Sequence, residues 1–176
     1  PLLRPPRRIS AQAALQLDAA TRKNLELTHA LGGGRANTLL SVTDRTVTSA
    51  GGRLLERRLS GPSTDLETIT ARHDAVATFV TAPDLAVDVG ETLRRVPDLD
   101  RALSRLSLDR GGPRDLAAIR DGLAAASTLF HRLDIELPPV LAKAREDLIG
   151  HDDCLETLDA ALVAEPPVQL RDGGLI

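Results

Sequence analysis

Apolar residues recur at intervals of three and four along most of this chain, and this spacing constrains its fold more than any other feature. The clearest repeat follows Pro113, with apolar positions at Leu116, Ile119, Leu123, Ala126, Phe130 and Leu133. Such steps place side chains on one face of an α-helix, whereas a strand requires alternation. Pro113 itself suits the first turn of a helix, where its missing N–H costs nothing. The pattern therefore predicts an all-α fold.

Glycine and proline separate the successive apolar stripes. These breaks occur at residues 32–34, 61–62, 111–112, 138–139 and 166–167. Helices joined by short loops usually lie antiparallel to their neighbours, and alternating steps of three and four favour crossing angles of about +20°. We therefore predict a multi-helix bundle of roughly six to eight helices with short Gly/Pro loops.

The first helix is predicted within the stretch LDAATRKNLEL at residues 17–27. Asp18 can cap a short helix that begins at Ala19, because its carboxylate can accept a free backbone N–H there. The spacing of Leu25 and Leu27 would instead suit a strand. We favour the helix.

Three further helices are expected before residue 81. One covers residues 38–44, the next begins at Thr48 or Ser49, and the third starts near Thr64 or Asp65. The third carries an apolar stripe in which a histidine also takes part: Leu66, Ile69, His73, Val76 and Val80, with Phe79 beside it. A histidine within such a stripe is expected to be a core or interface residue.

The composition limits the classes of partner. A formal charge of −3 offers no general attraction to DNA or anionic lipid. The two aromatic residues, Phe79 and Phe130, give poor support for stacking on nucleic-acid bases. The single cysteine, Cys154, excludes an internal disulfide and fits a reducing cytoplasm. No stretch approaches the roughly 20 apolar residues that span a membrane.

The beginning of the chain indicates a piece of a longer protein. The sequence contains no methionine and starts at Pro1. We favour an excised piece over a processed or unobserved start. Residues 1–16 include the Pro- and Arg-rich run PLLRPPRR and are predicted to be a linker from a preceding domain. Residues 17–176 are predicted to form the helical domain.

No catalytic or cofactor motif emerges from the residues. Neither lysine, Lys23 or Lys143, follows a glycine, so a phosphate-binding P-loop is absent. His151, Asp152 and Asp153 stand with Cys154 in one contiguous run. Contiguous side chains do not usually converge on one metal ion, so we favour a polar turn between helices over a metal site. No partner histidine and acid mark the cysteine as a nucleophile.

Arginines cluster along two predicted helices, at Arg53, Arg57 and Arg58 and at Arg101 and Arg105. Arginine-rich faces can meet phosphate. The alternative is ion pairing on the helix surface, with nearby carboxylates at Glu56, Asp98 and Asp100. We favour the pairing, because residues three or four apart are neighbours on a helix, and therefore regard direct DNA contact as unlikely.

Four blocks of the sequence resemble one protein family in the correct order. LDAATRKNLEL at 17–27 resembles the opening signature of the core, or lever, domain of the MutS family of DNA mismatch repair ATPases. Residues 37–76 resemble the next block, with its "D.T.T..G.RLL" and "P..D...I..R.DAV" segments. Residues 96–123 resemble "DLER.L.RL…PRDL..LR..L", and EPPVQLRDGGLI at 165–176 resembles the segment before the family's clamp insertion.

Some positions depart from the family pattern. The family usually has leucine at Thr43, methionine near Ala50, tryptophan at Arg58 and leucine at Ser63. Polar side chains thus replace apolar ones at three expected packing positions. These departures leave open a divergent relative within the family.

The resemblance implies a role as one part of a larger machine. Members of the family are dimers that scan duplex DNA for mispairs, exchange ADP for ATP and signal to MutL. Their mismatch-reading domain precedes this segment, and their clamp and ATPase follow it. The fragment is then expected to be no enzyme and to hold no cofactor or metal, whereas the parent would bind ATP or ADP with Mg²⁺. Its helices would transmit conformational change between clamp and ATPase.

The same resemblance suggests structural and interdomain residues rather than catalytic ones. In the opening stretch, Asp18, Thr21, Asn24 and Glu26 are expected to satisfy helix ends or loops at the junction with the preceding domain. In the third block, the corresponding positions are Arg101, Arg105, Pro113, Arg114 and Asp115. An excised piece should also leave some apolar stripe without its partner, and we expect self-association or a loose exposed apolar face.

Two other functions remain open from the residues. The chain could be a stand-alone helical adaptor for protein–protein contacts, derived from the same family. It could also be a small enzyme working through residues 151–154. A natural stop codon after Ile176 would favour the adaptor, and stoichiometric metal would favour the enzyme.

Overall fold

The computed structural model describes residues 14–167, and these residues form an all-α structure. Nine helices follow one another: α1 (Ala19–Asn24), α2 (Leu39–Thr43), α3 (Ser49–Ser60), α4 (Leu66–Thr81), α5 (Pro83–Leu93), α6 (Leu99–Ser107), α7 (Pro113–Arg132), α8 (Pro139–Glu146) and α9 (Asp152–Ala161). The described residues contain no strand, only an isolated antiparallel bridge between Ala14 and Ser63. The predicted fold class is confirmed. Among the described residues the helix count exceeds the predicted range by one.

The side chains that begin the early helices are those that local chemistry predicts. Asp18, Thr38 and Asp65 each accept a hydrogen bond from the backbone N–H three residues later, at 2.6, 3.1 and 2.9 Å. Each bond satisfies an N–H that has no partner inside its helix. The helical interpretation of the opening stretch is confirmed, and α1 ends before Leu25.

The chain divides into two compact units. One comprises Pro1–Thr46 and Gly51–Arg72, and the other comprises Val47–Ala50 and His73–Ile176. In the described part of the first unit, the buried residues include Leu27 and Leu40. The amide of Leu40 donates to the carbonyl of Leu27 at 2.9 Å. This bond attaches the end of the opening stretch to α2.

In the second unit, α7 is the central element. It packs against α5, α6, α8 and α9. Its inner face contributes Leu129, which forms a buried cluster with Val89 of α5 and with Leu133. Partly buried apolar side chains surround this cluster: Phe79, Leu85, Leu93, Leu137 and Leu148. The cleanest apolar repeat of the sequence therefore marks the helix that most others contact.

A glycine allows α6 to approach α7 closely. A Cβ atom on Gly122 would lie 2.9 Å from Cδ1 of Leu99 and 3.0 Å from its Cγ. Real Cβ atoms essentially never come nearer than such distances, so no larger residue fits without movement of the leucine. The absence of a side chain at Gly122 thus sets the spacing of these two helices.

The apolar stripe of α4 is largely exposed. Leu66 is 74% exposed, Val76 61% and Val80 73%, and His73 also lies on the surface. His73 is therefore not a core residue, and its alternative role at an interface stays a prediction. The exposed side chains of α4 agree with the expectation of an exposed apolar face, whose missing partner stays a prediction. None of the helices among the described residues is long and apolar enough to cross a membrane.

Candidate functional site

An arginine–carboxylate pair joins α6 to the first turn of α7. Nε of Arg105 donates to Oδ1 of Asp115 at 2.9 Å, and Nη2 of the same guanidinium donates to the same oxygen. The Asp115 side chain is 12% exposed and that of Arg105 49%. Hydrogen bonding to the Arg105 guanidinium holds the pKa of the Asp115 carboxyl below its usual range. A carboxylate held in this way is charged and directional.

The other oxygen of Asp115 closes the turn before α7. Oδ2 accepts the backbone N–H of Gly112 at 3.0 Å, and the amide of Asp115 donates back to the carbonyl of Gly112 at 2.9 Å. Pro113 lies between them as a fully buried residue at the start of the helix. Three of the predicted residues, Arg105, Pro113 and Asp115, are thus brought together at one corner.

The other two predicted residues of this block lie outside that corner's hydrogen bonds. Arg101 contacts the carboxylate of Asp98, Nε to Oδ2 3.4 Å, as a surface pair. The predicted pairing on the helix surface is confirmed for this arginine. Arg114 is exposed and lines a groove of about 340 Å³ in which Ala164 and Glu165 form another wall.

A buried arginine that the sequence analysis did not single out lies further along α7. The side chain of Arg120 is 11% exposed. Its Nη1 donates to the carbonyl of Val163 and its Nη2 to the carbonyl of Ala164, each at 3.0 Å. Its Nε donates to Oδ1 of the neighbouring Asp121 at 2.9 Å. One guanidinium therefore joins the middle of α7 to the chain that follows α9.

The signal for Arg120 was present but ambiguous. It occupies the arginine of the "PRDL..LR..L" pattern, seven positions after Pro113. An arginine on an amphipathic helix is usually a solvent-facing residue. Its acceptors lie 43 and 44 residues away, beyond the reach of any local pattern.

The predicted residues of the opening stretch lie in the first unit. Asp18 caps α1, and its pKa is lowered because the backbone N–H of Thr21 donates to its carboxylate. Glu26 has a left-handed backbone, with φ of 45°, and its Oε1 accepts the N–H of Leu31 at 2.6 Å. The side chain of Asn24 is exposed and makes no hydrogen bond to residues 14–167. The hydroxyl of Thr21 also hydrogen-bonds to the Asp18 carboxylate. Local order thus depends on three of the four side chains.

The polar run at residues 151–154 lies where α8 gives way to α9. Asp152 begins α9, His151 precedes it and Cys154 is exposed. Within residues 14–167, no group of three His, Cys, Asp or Glu side chains is arranged to hold a metal ion. The run forms the start of α9. Asp152 and Asp153 lie in its first turn, where their negative charges interact favourably with the helix dipole.

Comparison with known proteins gives a consistent result. Residues 20–176 match a family model described as MutS domain III. The whole chain is 60% identical to a protein of Roseobacter denitrificans, 57% identical to one of Paracoccus denitrificans and 56% identical to one of Dinoroseobacter shibae. Each of these relatives is named DNA mismatch repair protein MutS. The chain spans 20% of the length of each.

Proposed function

This chain belongs to the MutS domain III family, and we propose that it is a lever segment of a DNA mismatch repair protein. In this function its helices transmit conformational change between the clamp that holds DNA and the ATPase domain. In this proposal the segment contributes no catalytic residue and no cofactor site to the complete protein. The observation that carries the proposal is the position of α7, which contacts four other helices of its unit.

A lever requires rigid elements whose displacement moves their neighbours together. The α7 helix has 20 residues, which corresponds to about 30 Å at the rise of an α-helix. Arg105 and Asp115 fix its beginning to α6. At its other end, Nε of Arg145 donates to the carbonyl of Phe130 at 3.0 Å. These contacts support a helix that moves as one body with its neighbours.

The complete protein would supply the remaining parts. We propose that it binds mismatched duplex DNA, binds ATP or ADP with Mg²⁺, acts as a homodimer in the cytoplasm and signals to MutL. In this arrangement the partners of the present segment are the other domains of the same polypeptide. We propose no direct contact between this segment and DNA. Several of its cations, among them Arg101, Arg105 and Arg132, pair with carboxylates of the segment itself.

The stand-alone adaptor is not favoured by the names of the relatives. The intact mass of the protein in its source cells distinguishes the two functions. A mass several times the 18.8 kDa of this chain supports the lever, and a mass near 18.8 kDa contradicts it. An antibody against residues 14–167 would detect either form.

Increasing the flexibility of α7 tests the lever role directly. In the full-length protein, Ala118→Gly together with Ala124→Gly should lower the rigidity of α7, since each glycine costs about 1 kcal/mol in a helix interior. We expect ATP-triggered release of a mismatched duplex to slow by a factor of about 5 or more. Mismatch affinity without nucleotide and ATP hydrolysis without DNA should remain.

The matched control introduces two alanine-to-glycine substitutions into shorter helices of the same unit. Ala144→Gly in α8 with Ala160→Gly in α9 should leave the rate of release unchanged. The proposal fails if both double variants release DNA at the wild-type rate. It also fails if the α7 variant loses ATP hydrolysis alone, since that result would indicate damage to the ATPase rather than to transmission.

A further inference from the structure

A partly buried long-range contact in the second unit involves Arg120 and the segment of chain that leaves α9. We name residues 162–167 the α9 exit segment. From the geometry we infer that Arg120 is the positioning residue that locks the α9 exit segment to α7, so that the two move together. This inference rests on the proposed lever function and names a residue through which it operates.

The hydrogen bonds at Arg120 form a fork over two consecutive peptide groups. Nη1 and Nη2 donate to the carbonyls of Val163 and Ala164, both at 3.0 Å. A planar guanidinium fixes the distance and the angle between two acceptors at once. The fork therefore specifies where the α9 exit segment lies on α7 and how its backbone is turned.

The buried position of the guanidinium makes this contact difficult to replace. Burial of a charged group is strongly unfavourable unless its donors are satisfied. Nε of Arg120 is satisfied by Asp121, whose side chain is 55% exposed. The two Nη atoms depend on the α9 exit segment. If the segment detached, both charge-assisted hydrogen bonds would be exchanged for bonds to water, and their loss opposes detachment.

The backbone and the buried side chains of the α9 exit segment also hold it against the rest of the unit. The backbone of Leu162 is extended, with φ of −119° and ψ of 137°, so the chain leaves the helix at this residue. The side chains of Leu162 and Pro166 are buried on either side of the carbonyls that Arg120 holds. Two buried side chains flank two part-buried hydrogen bonds, so the α9 exit segment docks as one unit.

The consequence for a lever is specific. Any force that reaches the chain at residues 162–167 passes into the middle of α7 through Arg120 instead of fraying the end of α9. Because α7 contacts α5, α6 and α8 as well, the displacement is distributed across the second unit. Loss of the fork should leave the helices folded but let the α9 exit segment move independently.

Arg120→Gln in the full-length protein tests this inference, with Arg120→Lys as a second variant. Glutamine removes the charge and the fork, whereas lysine retains the charge but presents a single ammonium group. Hydrogen exchange of a peptide covering residues 160–167 reports on local release, because the amide of Leu162 donates to the carbonyl of Leu158 at 3.0 Å. We expect exchange to accelerate about tenfold to a hundredfold in the glutamine variant, as expected for a lost charge-assisted hydrogen bond. The lysine variant should lie between it and wild type.

The functional measurement is ATP-triggered release of a mismatched duplex, which should slow in Arg120→Gln with mismatch affinity retained. Arg145→Gln is the matched control, because this arginine also donates to a backbone carbonyl of α7, that of Phe130, and does not contact the α9 exit segment. It should lower thermal stability and leave exchange at residues 160–167 unchanged.

Each outcome decides the inference. Unchanged exchange in Arg120→Gln overturns it, as does full recovery with lysine, because neither result needs a fork. If Arg120→Gln accelerates exchange but releases DNA at the wild-type rate, the coupling role of Arg120 is overturned. The proposed lever function is still supported in that case if Ala118→Gly with Ala124→Gly slows release. If Arg120→Gln does not fold, the intermediate exchange and intermediate release rate of Arg120→Lys support the inference, and wild-type values in that variant overturn it.

Discussion

Arg105 and Asp115 form one directional contact across the turn that separates α6 from α7. Both Nε and Nη2 of the arginine converge on Oδ1, and Oδ2 remains available to the backbone N–H of Gly112 at 3.0 Å. One carboxylate oxygen of Asp115 thus accepts from Arg105, and the other accepts from the backbone N–H at the start of α7. Asp115 therefore ties the start of α7 to α6 and to the turn before it.

Replacement of Asp115 by asparagine should lower the melting temperature at pH 7 and have a smaller effect in acid. Arg105 lowers the pKa of this carboxyl in the folded protein from an ordinary value of 3.8. A depressed pKa stabilises the fold above the unfolded value and loses that effect as the pH falls through the folded value. Thermal unfolding of both proteins between pH 7 and pH 2 measures this. A difference between them that stays the same from pH 7 to pH 2 would contradict it.

Two helical glycines of the second unit should respond oppositely to alanine. Gly122→Ala should destabilise by about 1–3 kcal/mol through overpacking, because the new Cβ would meet Leu99. Gly90→Ala should stabilise by up to about 1 kcal/mol, since nothing lies within 4 Å of its Cβ position. Chemical denaturation of the two variants provides the comparison. Equal effects would show that backbone propensity, and not contact with Leu99, governs both sites.

Leu129→Ala should lower the free energy of unfolding much more than Leu103→Ala. Leu129 is 6% exposed within the cluster that α7 forms with Val89, whereas Leu103 is 52% exposed on α6. We expect Leu129→Ala to lower the free energy of unfolding by about 2–5 kcal/mol and Leu103→Ala by about 0.5 kcal/mol. Urea denaturation monitored by circular dichroism would measure both. Similar losses in the two variants would mean that α7 is not the core of its unit.

The hydroxyl of Thr38 should contribute more to stability than that of Thr43. Thr38 is 1% exposed, and its Oγ1 accepts the N–H of Ser41 and donates to the carbonyl of Arg35 at 2.8 Å. Thr38→Val should cost about 2 kcal/mol through a lost cap and unsatisfied partners. Thr43→Val removes an exposed hydroxyl that donates to the carbonyl of Leu39 at 2.8 Å and weakly to that of Leu40 at 3.4 Å, and it should be nearly neutral. A neutral Thr38→Val would show that water replaces the cap.

Much of the fold was predictable because its determinants lie within a few residues of one another. Asp18 and Asp65 begin helices where their side chains reach the N–H three residues ahead. Pro113 begins α7, and the break at residues 61–62 ends α3. At each of these helix ends, helical and turn conformations compete locally, so the residue type decides where the helix begins or ends.

The candidate site was only partly predictable. Arg105 and Asp115 are ten residues apart and flank a turn, so a pair between them is compatible with the sequence. Arg120 was missed because its acceptors are backbone carbonyls, which carry no residue identity. Asn24 was singled out by type alone, and its proposed role at a domain junction stays a prediction.

The sequence by itself determined where the helices lie and that they are amphipathic, because periodicity and capping act over three or four residues. Only the tertiary structure decided which stripes are buried: Leu129 on α7 lies in a cluster, whereas Val76 and Val80 on α4 face outward. It likewise decided that Arg120 is an internal support rather than a surface charge. Burial and hydrogen bonds across 43 residues depend on chain segments that no local pattern contains, so they become definite only when the chain has packed.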